Sequence, residues 1–176
     1  NFYALFQSNG DQVSAMKIAE LAKKIANHEN IILFCGHFSA GKSSMINHFV
    51  GEDLLPSSPI PTSANLVKIK ISDEHIAKVH FVNNETYVFH APFHLDQIKK
   101  YCKDGAMIHS IDIEYPSKIL PKDSIVLDTP GIDSTDDAHR ISTESALHLA
   151  DVCFYVMDYN HVQAEQNFLF TKEYIS

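Results

Sequence analysis

Hydrophobic residues recur with two different periods along this chain, and the alternation between them marks out helices and strands. Between residues 11 and 27, Ile18, Leu21, Ala22 and Ile25 fall at i, i+3, i+4 and i+7, which predicts an amphipathic helix. Asp11 is placed to cap its start, and Asn27-His28-Glu29-Asn30 marks its end. The apolar run Ile31-Ile32-Leu33-Phe34-Cys35 then predicts a short strand. A helix over 43–50 follows, with Met45, Ile46, Phe49 and Val50 turned inward and Gly51 ending it.

Further on, the pattern predicts strands at 66–71, 107–115 and 124–128, and a hairpin of 76–82 with 86–89 around Asn83-Asn84. Leu95, Ile98 and Cys102 suggest a short helix ending at Gly105, and another helix spans 141–149. The near-continuous apolar run 151–158 reads as a strand buried on both faces, and 161–176 as a helix. Residues 1–10 carry Phe2, Leu5 and Phe6 without a period that assigns them.

Two polar interruptions of this pattern carry chemistry. The strand ending at Cys35 runs into Gly36-His37-Phe38-Ser39-Ala40-Gly41-Lys42-Ser43-Ser44, a G-x-x-x-x-G-K-S loop that opens a helix. Gly36 and Gly41 permit a tight turn, the N–H groups between them form an anion-binding concavity, and the helix adds its positive end. Lys42 supplies a point charge for β- and γ-phosphates, and the Ser43 hydroxyl a ligand for Mg²⁺. The strand 124–128 ends in Asp128-Thr129-Pro130-Gly131, where Asp128 is a second Mg²⁺ anchor and Gly131 offers its N–H to a γ-phosphate. Two such loops at two strand ends predict nucleoside triphosphate binding.

The intervening segment 52–64 has three prolines and no helical period, which suits a switch loop. Thr62 sits near its end, with two readings open: closure over Mg²⁺ and the γ-phosphate, or local turn geometry. The polar run 132–140 is a second switch candidate. Strands alternating with helices, with both phosphate loops at strand carboxyl ends, imply an α/β fold: a three-layer P-loop NTPase with a mostly parallel sheet. Residues 31–176 form this domain, incomplete on its C-terminal side, and residues 1–30 a leading helical segment that either packs on the domain or joins a helical bundle.

Size and charge narrow the function classes. The chain of 176 residues, 45% hydrophobic, is long enough for one domain with a real core. A net charge of −8 leaves no broad basic surface, which excludes a general nucleic-acid binder. Cys35, Cys102 and Cys153 are odd in number, and two fall in expected buried strands, so reduced thiols and a cytoplasmic location are expected. No apolar run is long enough to cross a bilayer as a helix. His90 and His94, with Cys102 and His109 nearby, hint at a metal site, but Pro92 between the two histidines argues against it.

The joint pattern of the phosphate loop, Pro61-Thr62-Ser63 and Asp128-Thr129-Pro130-Gly131-Ile132-Asp133 resembles the GTPase head of the dynamin superfamily, bacterial dynamin-like proteins most of all. The resemblance implies a large GTPase that remodels or fuses membranes, its heads dimerising across their nucleotide faces. By the same resemblance it would sit at the inner face of the cell membrane and touch lipid through other regions. It also implies GTP as substrate, GDP as product and Mg²⁺ as cofactor. The cradle would be Gly36, His37, Phe38, Ser39, Ala40, Gly41, Lys42, Ser43 and Ser44, with Ser43 and Thr62 on the metal and Asp128 reaching it through water. Thr62 would position the attacking water, Ser39 would orient water and a charge-compensating cation, and Gly131 would sense the γ-phosphate. The leading helix resembles the neck segment that precedes such heads.

Two positions depart from relatives. Phe38 stands where eukaryotic dynamins carry glutamine, and Ile132 where small signalling GTPases carry theirs; the latter is usual in this superfamily and implies slow turnover until a partner completes the site. The guanine-reading T-K-x-D is matched only by Thr171-Lys172-Glu173-Tyr174, with Tyr in place of Asp. A nucleotide-gated dimerisation switch with negligible hydrolysis, or a P-loop ATPase of another class, remain alternative readings.

Overall fold

The computed structural model describes residues 2–56, 66–90, 108–131 and 146–161, with 97, 98, 100, 143 and 172 as single positions. The chain begins with two helices, α1 (Phe2–Ser8) and α2 (Gln12–Ala26). Gly10, at φ 77°, turns the chain between them, and the Asp11 side chain accepts from the Ser14 N–H at the start of α2. Thus 2–8, which no period assigned, is a helix. It buries none of its residues, so its apolar groups left no inward stripe to read.

Seven strands follow: β1 (Asn30–Gly36), β2 (Leu66–Ile71), β3 (Ile76–Phe81), β4 (Thr86–His90), β5 (Ile108–Tyr115), β6 (Ser124–Asp128) and β7 (Val152–Val156), with α3 (Lys42–Val50) after β1. They form one sheet in the order β4-β3-β5-β2-β6-β1-β7. Around β1 the pairing is parallel, with β6 on one side and β7 on the other, and β2 pairs in parallel with β5. The remaining pairs, β2 with β6, β3 with β5 and β3 with β4, are antiparallel. The sheet is therefore mixed rather than mostly parallel. The expected β3–β4 hairpin forces one reversal, and β2 runs against β6 so that Val67 faces Asp128 in register.

One face of the sheet carries Phe34, Val126, Val67, Ile69, Ile111 and Ile113 under Ile46 and Val50 of α3, with Leu54 and Leu55 beyond the helix. Ile98 joins that core. The other face carries Ile31, Leu33, Ile125 and Leu127 under Ala146, Leu147 and Leu149. Burying a Leu or Ile side chain contributes about 1.5–3 kcal/mol, so these two clusters fix the central strands. In α3 the inward stripe is Ile46 and Val50, with Phe49 half-buried; Met45, expected inside, lies off that stripe and is 41% exposed. Gly51, at φ 84°, ends the helix with its N–H on the Asn47 carbonyl, as expected.

β7 was expected to be buried on both faces, yet Val152 and Phe154 are 48% and 38% exposed. Among the described residues β7 pairs only with β1, so it is an edge strand there. The expected helices near 95–105, 141–149 and 161–176 fall largely outside the described residues, although 97, 98, 100, 143, 146, 147 and 172 are helical.

Candidate phosphate and metal site

The carboxyl ends of β1 and β6 lie side by side, Phe34 opposite Asp128, and both candidate loops leave from there. Thr129 makes this junction rigid. It is fully buried, and its N–H and hydroxyl both donate to the Phe34 carbonyl, at 3.3 and 3.0 Å. The threonine of the Asp-Thr-Pro-Gly motif thus latches one loop to the strand that leads into the other.

Gly36 has a reason to be glycine besides phosphate access. A Cβ there would lie 2.1 Å from the Val156 carbonyl oxygen on β7. Gly41 is different: at φ 97° with open space around it, it is needed for its backbone conformation at the cap of α3. Ser39, at the exposed tip, also holds a left-handed φ of 59°, a conformation that costs a non-glycine residue roughly 1–2 kcal/mol. Strain of this kind collects at ligand-binding loops. Phe38 beside it is 38% exposed.

Lys42 occupies the cradle. Its side chain is not exposed: the residue is 5% exposed, and Nζ donates to the carbonyls of Gly36 (3.1 Å) and His37 (2.8 Å). The loop therefore satisfies its own ammonium, and a phosphate would take over those bonds. From the next position, the Ser43 hydroxyl donates to Asp128 Oδ2 at 3.0 Å, and Asp128 is buried.

A hydroxyl and a carboxylate are hard oxygen donors, the type Mg²⁺ selects. Mg²⁺ keeps several waters in its octahedral shell, so Ser43 could ligate it directly while Asp128, 3.0 Å from that hydroxyl, holds one of those waters; the pair fits that cation. Gly131 follows on the same loop and is half-buried. Thr62 and the second switch candidate, 132–140, lie outside the described residues.

Asn47 escaped the sequence reading. Buried on α3, it donates to the Leu55 carbonyl (2.6 Å) and Asp53 (2.8 Å) and accepts from the Leu55 N–H (2.7 Å). It fixes the root of the proline-rich segment to the helix that carries Lys42 and Ser43. A polar residue one position past a buried Ile was the available signal. The histidine cluster gains no support: His90 and His109 are exposed, His94 and Cys102 lie outside the described residues, and no metal-holding group occurs among the described residues.

Comparison with known proteins agrees with this geometry. A model of the dynamin family matches residues 31–176. Dynamin-like protein A of Bacillus subtilis is 44% identical over 170 residues, covering 97% of this chain and 14% of that protein. Dynamin-like protein 1 of Campylobacter jejuni is 25% identical over 185 residues, covering 84% of this chain and 25% of the relative. Among solved structures, an oligomerised bacterial dynamin pair, described as a mechanism for long-range sensing and tethering of membranes, superposes with a TM-score of 0.65 at 22% identity. That match covers 97% of this chain and 36% of the other. The chain thus spans only a small part of these relatives. With the cradle, the acidic strand end and the leading helices all in place, the chain belongs to the dynamin family, as the nucleotide-binding head of its bacterial members.

Proposed function

We propose that this chain binds GTP with Mg²⁺ and hydrolyses it to GDP, as the head of a larger protein that works on membranes and dimerises through its nucleotide face. The observation that carries this reading is the meeting of Lys42, Ser43 and Asp128 at the carboxyl ends of β1 and β6. Lys42 would exchange its two loop carbonyls for β- and γ-phosphate oxygens, while the backbone N–H groups between Gly36 and Ser44 hold the chain of phosphates. Ser43, Thr62 and Asp128, the last through water, would hold Mg²⁺, which neutralises charge developing on the phosphates. Thr62 would position the attacking water, Gly131 would sense the γ-phosphate, and Ser39 would orient water and a compensating cation. No protein nucleophile is required; positioning and electrostatic stabilisation carry the step.

Exposed Phe38 beside Ser39 suits a face that a second head covers. Among the described residues no helix is long and apolar enough to cross a membrane. By resemblance, contact with the inner face of the cell membrane would be peripheral and made through regions outside this chain. Single-turnover phosphate release by the full-length protein, followed over a concentration series with GTP and ATP in competition, tests the reading. Release that rises with protein concentration and prefers GTP supports it. Binding without release supports a dimerisation switch, and preference for ATP overturns the guanine assignment.

A further inference from the structure

We propose that Cys35 and Cys153 form a reversible thiol-modification site, closing to a disulfide that ties β7 to β1 beneath the phosphate loop and weakens nucleotide binding. The effect on nucleotide rests on the function proposed above; the disulfide itself does not. The two sulfurs lie 3.3 Å apart, and both cysteines are free. Leu33 faces Cys153 in register and Cys35 faces Tyr155, so the two cysteines share one face of the sheet, displaced by one repeat along the ladder. Cys35 is fully buried, and Cys153 is exposed on β7, which pairs on one side only among the described residues.

That asymmetry assigns the roles. The Cys35 S–H, donating to Cys153, holds the Cys153 thiol below its ordinary range. The same bond, together with burial, pushes the Cys35 thiol up, with Lys42 opposing. Cys153 is therefore the attacking thiolate and Cys35 the resolving group. With a low-molecular-weight disulfide as oxidant, Cys153 attacks one sulfur, and the first small thiolate leaves. Cys35 then attacks the Cys153 sulfur of the mixed disulfide, and the second small thiolate leaves, taking up the proton Cys35 gives up. Two protein thiols are oxidised to one disulfide, and one small disulfide is reduced to two thiols.

A disulfide holds its sulfurs about 2.05 Å apart, so the pair must close by roughly 1.2 Å. Positions one repeat apart on neighbouring parallel strands lie roughly 8 Å apart, beyond the reach of a disulfide, so side-chain rotation alone does not suffice and β7 must shift along β1. Cys35 is followed directly by Gly36, which clears the Val156 carbonyl only because it lacks a Cβ. A shift of β7 is therefore felt where the phosphate loop begins.

The test uses the full-length protein carrying Cys102→Ser, treated with glutathione disulfide, alkylated and peptide-mapped without reductant. The expected result is a Cys35–Cys153 linked peptide, reversed by dithiothreitol. With it, affinity for a fluorescent GTP analogue falls roughly tenfold, or about 1.4 kcal/mol, while Cys153→Ser is indifferent to the oxidant. Alkylation of both cysteines after treatment, or a lasting mixed disulfide on Cys153, overturns the site. Linkage with unchanged affinity overturns the coupling to the loop. If the reduced protein binds no nucleotide, the proposed function fails, and the peptide map still decides the disulfide.

Discussion

Lys24 on α2 donates to Asp151 at 2.6 Å, and the second oxygen of that carboxylate accepts from the Ile31 N–H at 2.8 Å. Lys24 also reaches the Leu149 carbonyl, and Glu20 one turn earlier pairs with His148. The leading helix is thus fastened to the amino-terminal ends of β1 and β7, opposite the phosphate loop. Lys24→Ala should loosen α2, costing about 1 kcal/mol because Asp151 is half in water. Amide hydrogen exchange along α2, faster in the variant and unchanged in β6, is the measurement.

The same bridge gives an acid dependence. The bond from Lys24 first, and the Ile31 N–H second, hold the Asp151 carboxyl below the usual carboxylate range. A depressed native value means the stabilisation is complete above the unfolded value of about 3.9 and vanishes as pH falls through the lower native one. Asp151→Asn should flatten that acid limb in thermal melts recorded between neutral pH and roughly pH 3.

Lys42→Ala should abolish triphosphate binding with little loss of fold. Releasing a buried ammonium from desolvation offsets the loss of its two carbonyl bonds, leaving a net change on the order of 1 kcal/mol. Calorimetry with Mg²⁺ and GTP should show at least a hundredfold weaker binding, which is about 2.7 kcal/mol. A melting temperature lowered by tens of degrees would contradict this balance.

The two loop glycines should separate by mechanism. Gly36→Ala drives a Cβ into the Val156 carbonyl and should cost about 3 kcal/mol or more, since backbone on both sides must move. Gly41→Ala meets open space and strains only its own φ, for about 1 kcal/mol. Chemical denaturation of both variants reads the difference.

Asn47→Ala leaves the buried Leu55 N–H and carbonyl without the amide that satisfies both. Each unsatisfied buried group costs about 1–3 kcal/mol, so a loss of roughly 2–4 kcal/mol is expected. Increased protease sensitivity at 52–56 should accompany it.

Much of this was legible in the sequence because it rests on local rules. The loop from Gly36 to Ser44, the strand ending at Asp128 and the turn at Asn83-Asn84 each follow from residue type and spacing, and all lie where expected. What escaped depends on contacts distant in sequence. Nothing near Asn47 tells that Leu55 will fold back on it, and nothing near Cys35 tells that Cys153 lies beside it. The mixed sheet has the same cause, because β2 joins β6 across more than fifty intervening residues and no hydrophobic period encodes direction. Thr62 and the cradle's contacts with nucleotide rest on motif and resemblance.

The reversal of β2 has a consequence for where the proline-rich segment that precedes it is anchored. Had β2 run alongside β6, its first residues would emerge at the far end of the sheet, a strand's length from Asp128. Running against it, Val67 arrives next to Asp128. Thr62 is then tethered by only five residues, a leash of at most roughly 18 Å. The direction of one strand thereby anchors the segment that carries Thr62 beside Asp128, the proposed metal-holding residue, rather than at the opposite end of the sheet.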